Sequence, residues 1–382
     1  MKQKLLYSWT AVLGLAAFAE SMSISPGSHY MLSANEMQFV LTDSINRIME
    51  NPEVGSATVL DFSVFPPRRT DIPNVPCSVS GPPLGIAVAP GNQIALVTSS
   101  TKIDPADSSA QVSDNRVTVI DLDTKQIIQT LSVGKKASGM SIAPDGKTAL
   151  VCNRDDGSLT ALRIHGKDVT VSKTLKVAEP EDSLSHTVFS PDGTYVLATL
   201  NLDNSVIKIQ LENGEPVRVI GKVTVGTGPY AAEIAPDGQT AVVANVNGAT
   251  ISILDLTGEK MTVADTIYTG VLPEGMDISP DGKWVAVSSM GYTMKAPDDS
   301  MRQQHGQLVL LKKNPKYYSI VQRLQIDRIP QAVSFTADSN YVVVGSFESR
   351  RLRIYELSGE ELKDTGIIIP VPGQPCSLRI AE

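Results

Sequence analysis

Aromatic residues make up only 5% of this 382-residue chain, and two of them are tryptophan, Trp9 and Trp284. Cysteine is scarcer still. Three thiols (Cys77, Cys152, Cys376) and four imidazoles (His29, His165, His186, His305) form no zinc set and no pair at metal-ligand spacing, so no metal is expected. A Gly-rich phosphate loop and a nucleophile elbow are both missing. With no Cys-x-x-Cys-His for covalent haem either, no cofactor is expected. Basic excess is absent: 33 basic residues are mixed among 41 acidic ones, for a formal net charge of -8. That balance argues against nucleic acid as a partner and leaves no basic stretch for an anionic membrane surface. Acidic residues in IDLDTK and LDLTGEK recur where strands end, and fit strand termination better than calcium binding.

Long apolar runs are also lacking, except at the start. Residues 1–19 carry Lys2 and Lys4, then an apolar stretch from Leu5 to Ala19 that ends Ala17-Phe18-Ala19. This is the pattern of an export signal, and the stretch is shorter than the roughly 20 residues a spanning helix needs. An uncleaved N-terminal anchor is the alternative. The expected mature chain, 20–382, is periplasmic or secreted, with no membrane span after signal removal. Asn-x-Ser/Thr sites are absent, which suits a bacterial periplasm.

What the chain does have is one phrase written seven times: an apolar strand, a Pro-Asp-Gly-like turn, a second apolar strand, a polar loop and a third strand. The clearest copies are GMSIAPDGKTALVCN, HTVFSPDGTYVLATL, AAEIAPDGQTAVVAN and GMDISPDGKWVAVSS. The turns fall at Pro26, Pro90, Pro144, Pro191, Pro236, Pro280 and Ala337, at spacings of 64, 54, 47, 45, 44 and 57 residues. An all-strand repeat of this length predicts a β-propeller, because one four-stranded unit cannot bury both faces without neighbours. The Trp-Asp dipeptide of WD40 blades is absent. The last copy, PCSLRIAE, stops after its first strand, whereas the first copy starts at its turn. Joining the two fragments completes one blade and removes an open sheet edge. The expected fold is all-β: a seven-bladed β-propeller closed by pairing of the C-terminal strand with the N-terminal blade.

Equivalent positions fall into columns. Seven residues before each turn, proline recurs at Pro83, Pro229, Pro273, Pro330 and Pro375, as suits the first residue of a strand. Five residues before the turn the residues are small (Gly85, Gly139, Ala231, Gly275, Ala332, Ser377) except His186. Six before stand Leu84, Ser138, Ser185, Tyr230, Glu274, Gln331 and Cys376, a mixed and polar column expected to line the channel mouth. That lining holds either ordered water or a ligand. Three long inter-strand segments, Asn35 to Ala57, Ser99 to Arg116 and Met290 to Gly306, belong to blades that cluster on one rim. Such a grouping forms a lid or a partner surface. The third brings Lys295, Arg302 and His305 beside Asp298 and Asp299, suited to an anion or to solvent. Cys77 and Cys376 fall on the same closing blade and either pair or remain separate thiols.

The repeat resembles the YVTN family of propellers and, more distantly, the seven-bladed lactonases of the 6-phosphogluconolactonase and muconate-lactonising types. One stretch, DSLSHTVFSPDGTYVLATLNLDNSVIKI, is similar to a lactonase segment with the pattern Gly-Pro-Arg-His, a Pro turn, then Asn-Glu-Leu before a Ser-Val strand. His186 matches the His, but Ser185 stands where that family has Arg and Asn201 where it has Glu. The loop NRDDGSL resembles the family's Asn-Arg loop and keeps Asn153 and Arg154. The resemblance implies that these positions hold the anionic group of a substrate and move a proton. Serine cannot replace the guanidinium fork and asparagine cannot act as a base.

The sequence therefore favours an exported binding module that holds a small molecule or a protein at the channel mouth. Ser138, Arg154, His186, Tyr230, Glu274, Gln331 and Arg302 are the expected contacts. The alternative is a lactonase-type hydrolase using His186 and Glu274, with Arg154 or Arg302 steering an anion. A third reading makes the chain an accessory of a periplasmic quinoprotein dehydrogenase, with a redox enzyme as partner.

Overall fold

The computed structural model describes residues 29–381 apart from Ser44, Asn92 and Lys316. The expected export signal and the Pro26 turn lie outside the described residues. Seven four-stranded antiparallel sheets form the blades of a ring, and one two-stranded hairpin is added to them. The fourth blade is typical: Leu184–Phe189 innermost, then Tyr195–Leu200, Ser205–Glu212 and Glu215–Thr224. Closure occurs as the half-repeats require. Gln374–Ile380 is the inner strand of the first blade and pairs with Tyr30–Glu36, placing Ser33 opposite Leu378 and Met31 opposite Ile380.

Each inner strand is buried on both faces, because it lies between neighbouring blades and the axis. Seven apolar clusters fill the seams between adjacent blades. The one at the closure joins Met31, Leu60, Leu378 and Ile380 to Val343, Leu352 and Ile354 of the last blade. Burial of such side chains is the main favourable term in the fold, at roughly 1.5–3 kcal/mol each.

The repeated turn is locked by its own side chains. In the fourth blade the Ser190 hydroxyl donates to Asp192 Oδ1 at 2.6 Å, and Asp192 Oδ1 also accepts the Thr194 N–H at 3.1 Å. Ser279–Asp281 and Thr336–Asp338 repeat the hydroxyl bond at 2.6 Å. The next residue takes a left-handed conformation, φ +67° at Gly193 and +70° at Gly282, which explains the glycine. At the other end of the second strand, a buried asparagine ties it to the third. Asn153 Nδ2 donates to Ser158 Oγ and Thr160 Oγ1, both at 2.9 Å, and Asn35 and Asn245 do the same in their blades.

The small column is set by close approach around the axis. A Cβ on Gly139 would lie 2.7 Å from both His186 Cδ2 and Ser185 O, so glycine here makes room for the one bulky member of that column. All three cysteines are free and buried. Cys77 and Cys376 face each other across the closure as thiols, and Cys376 Sγ also donates to Ala34 O at 3.4 Å.

Candidate functional site

The channel opens where the inner strands begin, and a cavity of about 510 Å³ occupies this mouth. The turn from Asn153 brings Arg154 to its wall, and the inner strands of blades five, six and seven bring Tyr230, Glu274 and Gln331. Arg154 is held by several oxygens. Its Nε donates to Ser183 Oγ at 2.5 Å, Nη2 to Asn201 Oδ1 at 3.4 Å and Nη1 to the Tyr230 hydroxyl at 3.5 Å. The guanidinium carbon lies 5.5 Å from the Tyr230 ring centre, within cation–π range.

Glu274 is an ionisable group that this setting changes strongly. Burial pushes its carboxyl up to about 8 against the opposing pull of Arg154, so the proton is still held at neutral pH. Gln331 Nε2 donates to Glu274 Oε2 at 3.5 Å. Burial likewise raises the Tyr230 phenol, with Arg154 opposing. The site thus combines a fixed cation, a neutral carboxylic acid able to ionise in the physiological range, and a phenol. Such a set can orient an oxyanion and carry a proton.

A lid covers one side of the mouth. The hairpin of Phe39–Thr42 with Ile45–Ile48 places Leu41 and Asn46 over the cavity. The Asp43 N–H donates to Met294 O at 3.0 Å, and Asp43 Oδ1 accepts the Ala296 N–H at 3.2 Å. Asn46 Nδ2 donates to Ser80 Oγ, and Gln111 Nε2 to Asn46 O, both at 2.7 Å. All three long segments of the rim therefore meet above the cavity.

Three of the expected contacts are elsewhere. Ser138 is buried beneath Gly81, whose Cβ would lie 2.6 Å from Ser138 Oγ, so the hydroxyl does not reach the mouth. Arg302, largely buried, pairs with Glu348 at 3.4 Å and does not border the mouth cavity. His186 points down the channel and lines a second cavity at the Pro-turn end, away from Glu274. Its Nδ1 accepts the Ala232 N–H at 3.4 Å, and burial, then the Arg379 charge, holds the imidazole well below its usual range. His186 and Glu274 therefore share no site. The kept Asn153 is the inter-strand tie described above, so only Arg154 of that loop faces the mouth.

Other residues went unnoticed in the sequence. Ser183 and Lys136 also border the mouth, Lys136 being paired with Asp155 at 3.5 Å. Glu233, Asp277 and Arg379 form a buried ion cluster farther down the channel. Each stands three residues before its turn, and a charge inside AAEIAP, GMDISP or SLRIAE is the signal that marks it.

The family described as "Lactonase, 7-bladed beta-propeller" matches residues 173–314. No curated protein matches the chain by sequence. A putative 6-phosphogluconolactonase from Bacteroides uniformis is similar in structure, with a TM-score of 0.66 and 16% identity over 94% of this chain and 100% of that one. The periplasmic gluconolactonase of Pseudomonas aeruginosa has a TM-score of 0.66 and 16% identity over 93% and 99%. Kuenenia stuttgartiensis hydrazine synthase is also similar, with a TM-score of 0.61 and 19% identity over 79% and 90%, so the architecture serves unrelated chemistries. By its blades and its closure the chain is a seven-bladed β-propeller, similar over residues 173–314 to the lactonase propellers.

Proposed function

We propose that the protein is a hydrolase of small, polar lactones, acting at the channel mouth, with Glu274 as general base and Arg154 as the anchor for the carbonyl oxygen. The observation that carries this reading is the convergence of Arg154, Tyr230 and Glu274 on one cavity, with the carboxyl raised to about 8. Ionised Glu274 takes a proton from water as that water attacks the lactone carbonyl. Arg154 and the Tyr230 hydroxyl donate to the oxyanion that forms. When the ring C–O bond breaks, Glu274 returns the proton to the departing alkoxide, leaving an open hydroxy acid. The named substrates of the two lactonase-like neighbours are sugar lactones, and the polar wall suits that class. The export pattern of residues 1–19 and the periplasmic location of the Pseudomonas neighbour support a periplasmic location.

Ligand binding without turnover is the second reading. It is favoured by Asn201, which bonds Arg154 where the lactonase resemblance calls for a carboxylate. Titrating acid release from glucono-δ-lactone, 6-phosphogluconolactone and dihydrocoumarin separates the two. Turnover that disappears in Glu274→Gln supports the hydrolase. Binding of the sugar lactones without acid release supports the binding module instead.

A further inference from the structure

We propose that Cys77 and Cys376 are a covalent modification site, where thiol exchange with an external disulfide makes a cross-link that locks the ring shut. The two residues come from opposite ends of the described chain and meet only because the ring closes. Cys376 is the extra residue of a bulge in the closing strand. The register there steps from Ala34 opposite Ser377 to Asn35 opposite Pro375, and a bulge re-aims its side chain. The Cys376 Sγ lies 3.4 Å from Ala34 O.

Cys77 reaches the same step. A Cβ on Gly55 would fall 2.7 Å from Cys77 Sγ and 3.0 Å from Asn35 O, so this sulfur also sits beside the Ala34–Asn35 backbone. Both thiols are buried in one apolar cluster, and they hydrogen-bond each other. Thiols already in contact meet the first geometric demand of a disulfide, that the two side chains point toward each other. Cys152 stands apart from both, in the seam between the third and fourth blades.

The oxidant is a disulfide, R–S–S–R. One cysteine thiolate attacks a sulfur of R–S–S–R, breaking that S–S bond and releasing R–S⁻. The second cysteine thiolate attacks the protein sulfur of the mixed disulfide, forming the Cys77–Cys376 bond and releasing the second R–S⁻. The two cysteine protons end on two R–SH, so the protein gives up two electrons and the oxidant takes them. The Cys376 thiol and burial push the Cys77 thiol up, which makes it a poor nucleophile while the ring is closed. The exchange therefore runs through brief release of the closing strand. The cross-link also steadies the mouth: Val79, two residues beyond Cys77, lines that cavity and donates its N–H to Glu36 Oε2 at 3.0 Å.

The test incubates the purified full chain at about pH 8 with excess oxidised glutathione, and a second sample with excess dithiothreitol. Oxidation is expected to lower the intact mass by about 2 Da, the two hydrogens lost, and to leave the peptides of Cys77 and Cys376 joined. After denaturation, Cys152 alone of the three thiols should react with a maleimide. At a fixed urea concentration in the transition, the ratio of unfolded to folded protein should be at least about tenfold smaller for the oxidised form. Cys152→Ser should form the same bond, and Cys376→Ser should lose the difference between the two samples. Because Cys376 is buried and its variant can fail to fold, the oxidised and reduced parent are compared first. Three reactive thiols after oxidation, glutathione adducts without an internal bond, a link that includes Cys152, or equal urea curves for the two parent samples would overturn the proposal.

Discussion

The amide of Gln331 donates to the carboxyl of Glu274 at 3.5 Å across the seam between the sixth and seventh blades, while Gln331 Oε1 takes no hydrogen bond. A donor to a carboxyl favours its ionised form, so Gln331 moderates the upward push of burial. With Glu274 as the base, kcat/KM should rise with pH along one limb centred near 8. Gln331→Leu should move that limb to higher pH without removing it. Glu274→Gln should lower kcat by about 100-fold or more and abolish the limb, as loss of a general base does. Steady-state rates between pH 5 and 10 read both effects.

Arg154 should act on binding as well as on the oxyanion. Arg154→Met is expected to raise KM for 6-phosphogluconolactone by about tenfold, corresponding to one charge-assisted contact. Arg154→Lys should restore only part of that loss, because an ammonium cannot reproduce the fork held by Ser183, Asn201 and Tyr230. The comparison of KM values across the two variants tests this.

Glu274 and Glu36 should make stability fall as pH rises from about 4.5 to 8, and His186, held neutral by burial, opposes them below about 6.5. Glu274 is raised to about 8 and Glu36 to about 7 by burial, from an ordinary value of 4.5. Within that window the folded protein keeps protons on both that the unfolded chain releases, so through them each rise in pH favours unfolding. Depressed carboxyls such as Asp121, near 2 through Lys167, change stability only at lower pH. Thermal melts of Glu274→Gln should lose less between pH 5 and 8 than those of the parent. An equal loss in both proteins would count against this assignment.

The closing strand should be a point of high cost. Leu378 is fully buried against the last blade, and Leu378→Ala should destabilise the protein by about 2–5 kcal/mol, as core truncations do. Urea unfolding followed by circular dichroism measures it. An exposed outer-strand change such as Val219→Ala should cost well under half as much.

The ring was legible because its cause is local and periodic. Ser/Thr-Pro-Asp-Gly turns carry their own hydrogen bonds, and the incomplete first and last repeats fit only each other. Column counting also placed Tyr230, Glu274 and Gln331 at one mouth. Column counting failed at Ser138, and the lactonase resemblance failed at His186, for two different reasons. Gly81 belongs to a non-repeating segment, so its cover over Ser138 leaves no trace in the periodicity. His186 stands one residue nearer its turn than the mouth column, and it lines the cavity at the Pro-turn end. Arg302 depended on a charge in another blade, Glu348, that no spacing reveals.

The blade begun earliest in the sequence is also the last to be finished. Until residues near 380 are available, the Tyr30–Glu36 strand has an unsatisfied row of backbone donors and acceptors along one side. Nascent chains therefore expose a sticky ribbon that their own tail later covers. Arg379 arrives on that same tail, so the act that seals the ring also installs the ion cluster across its bore.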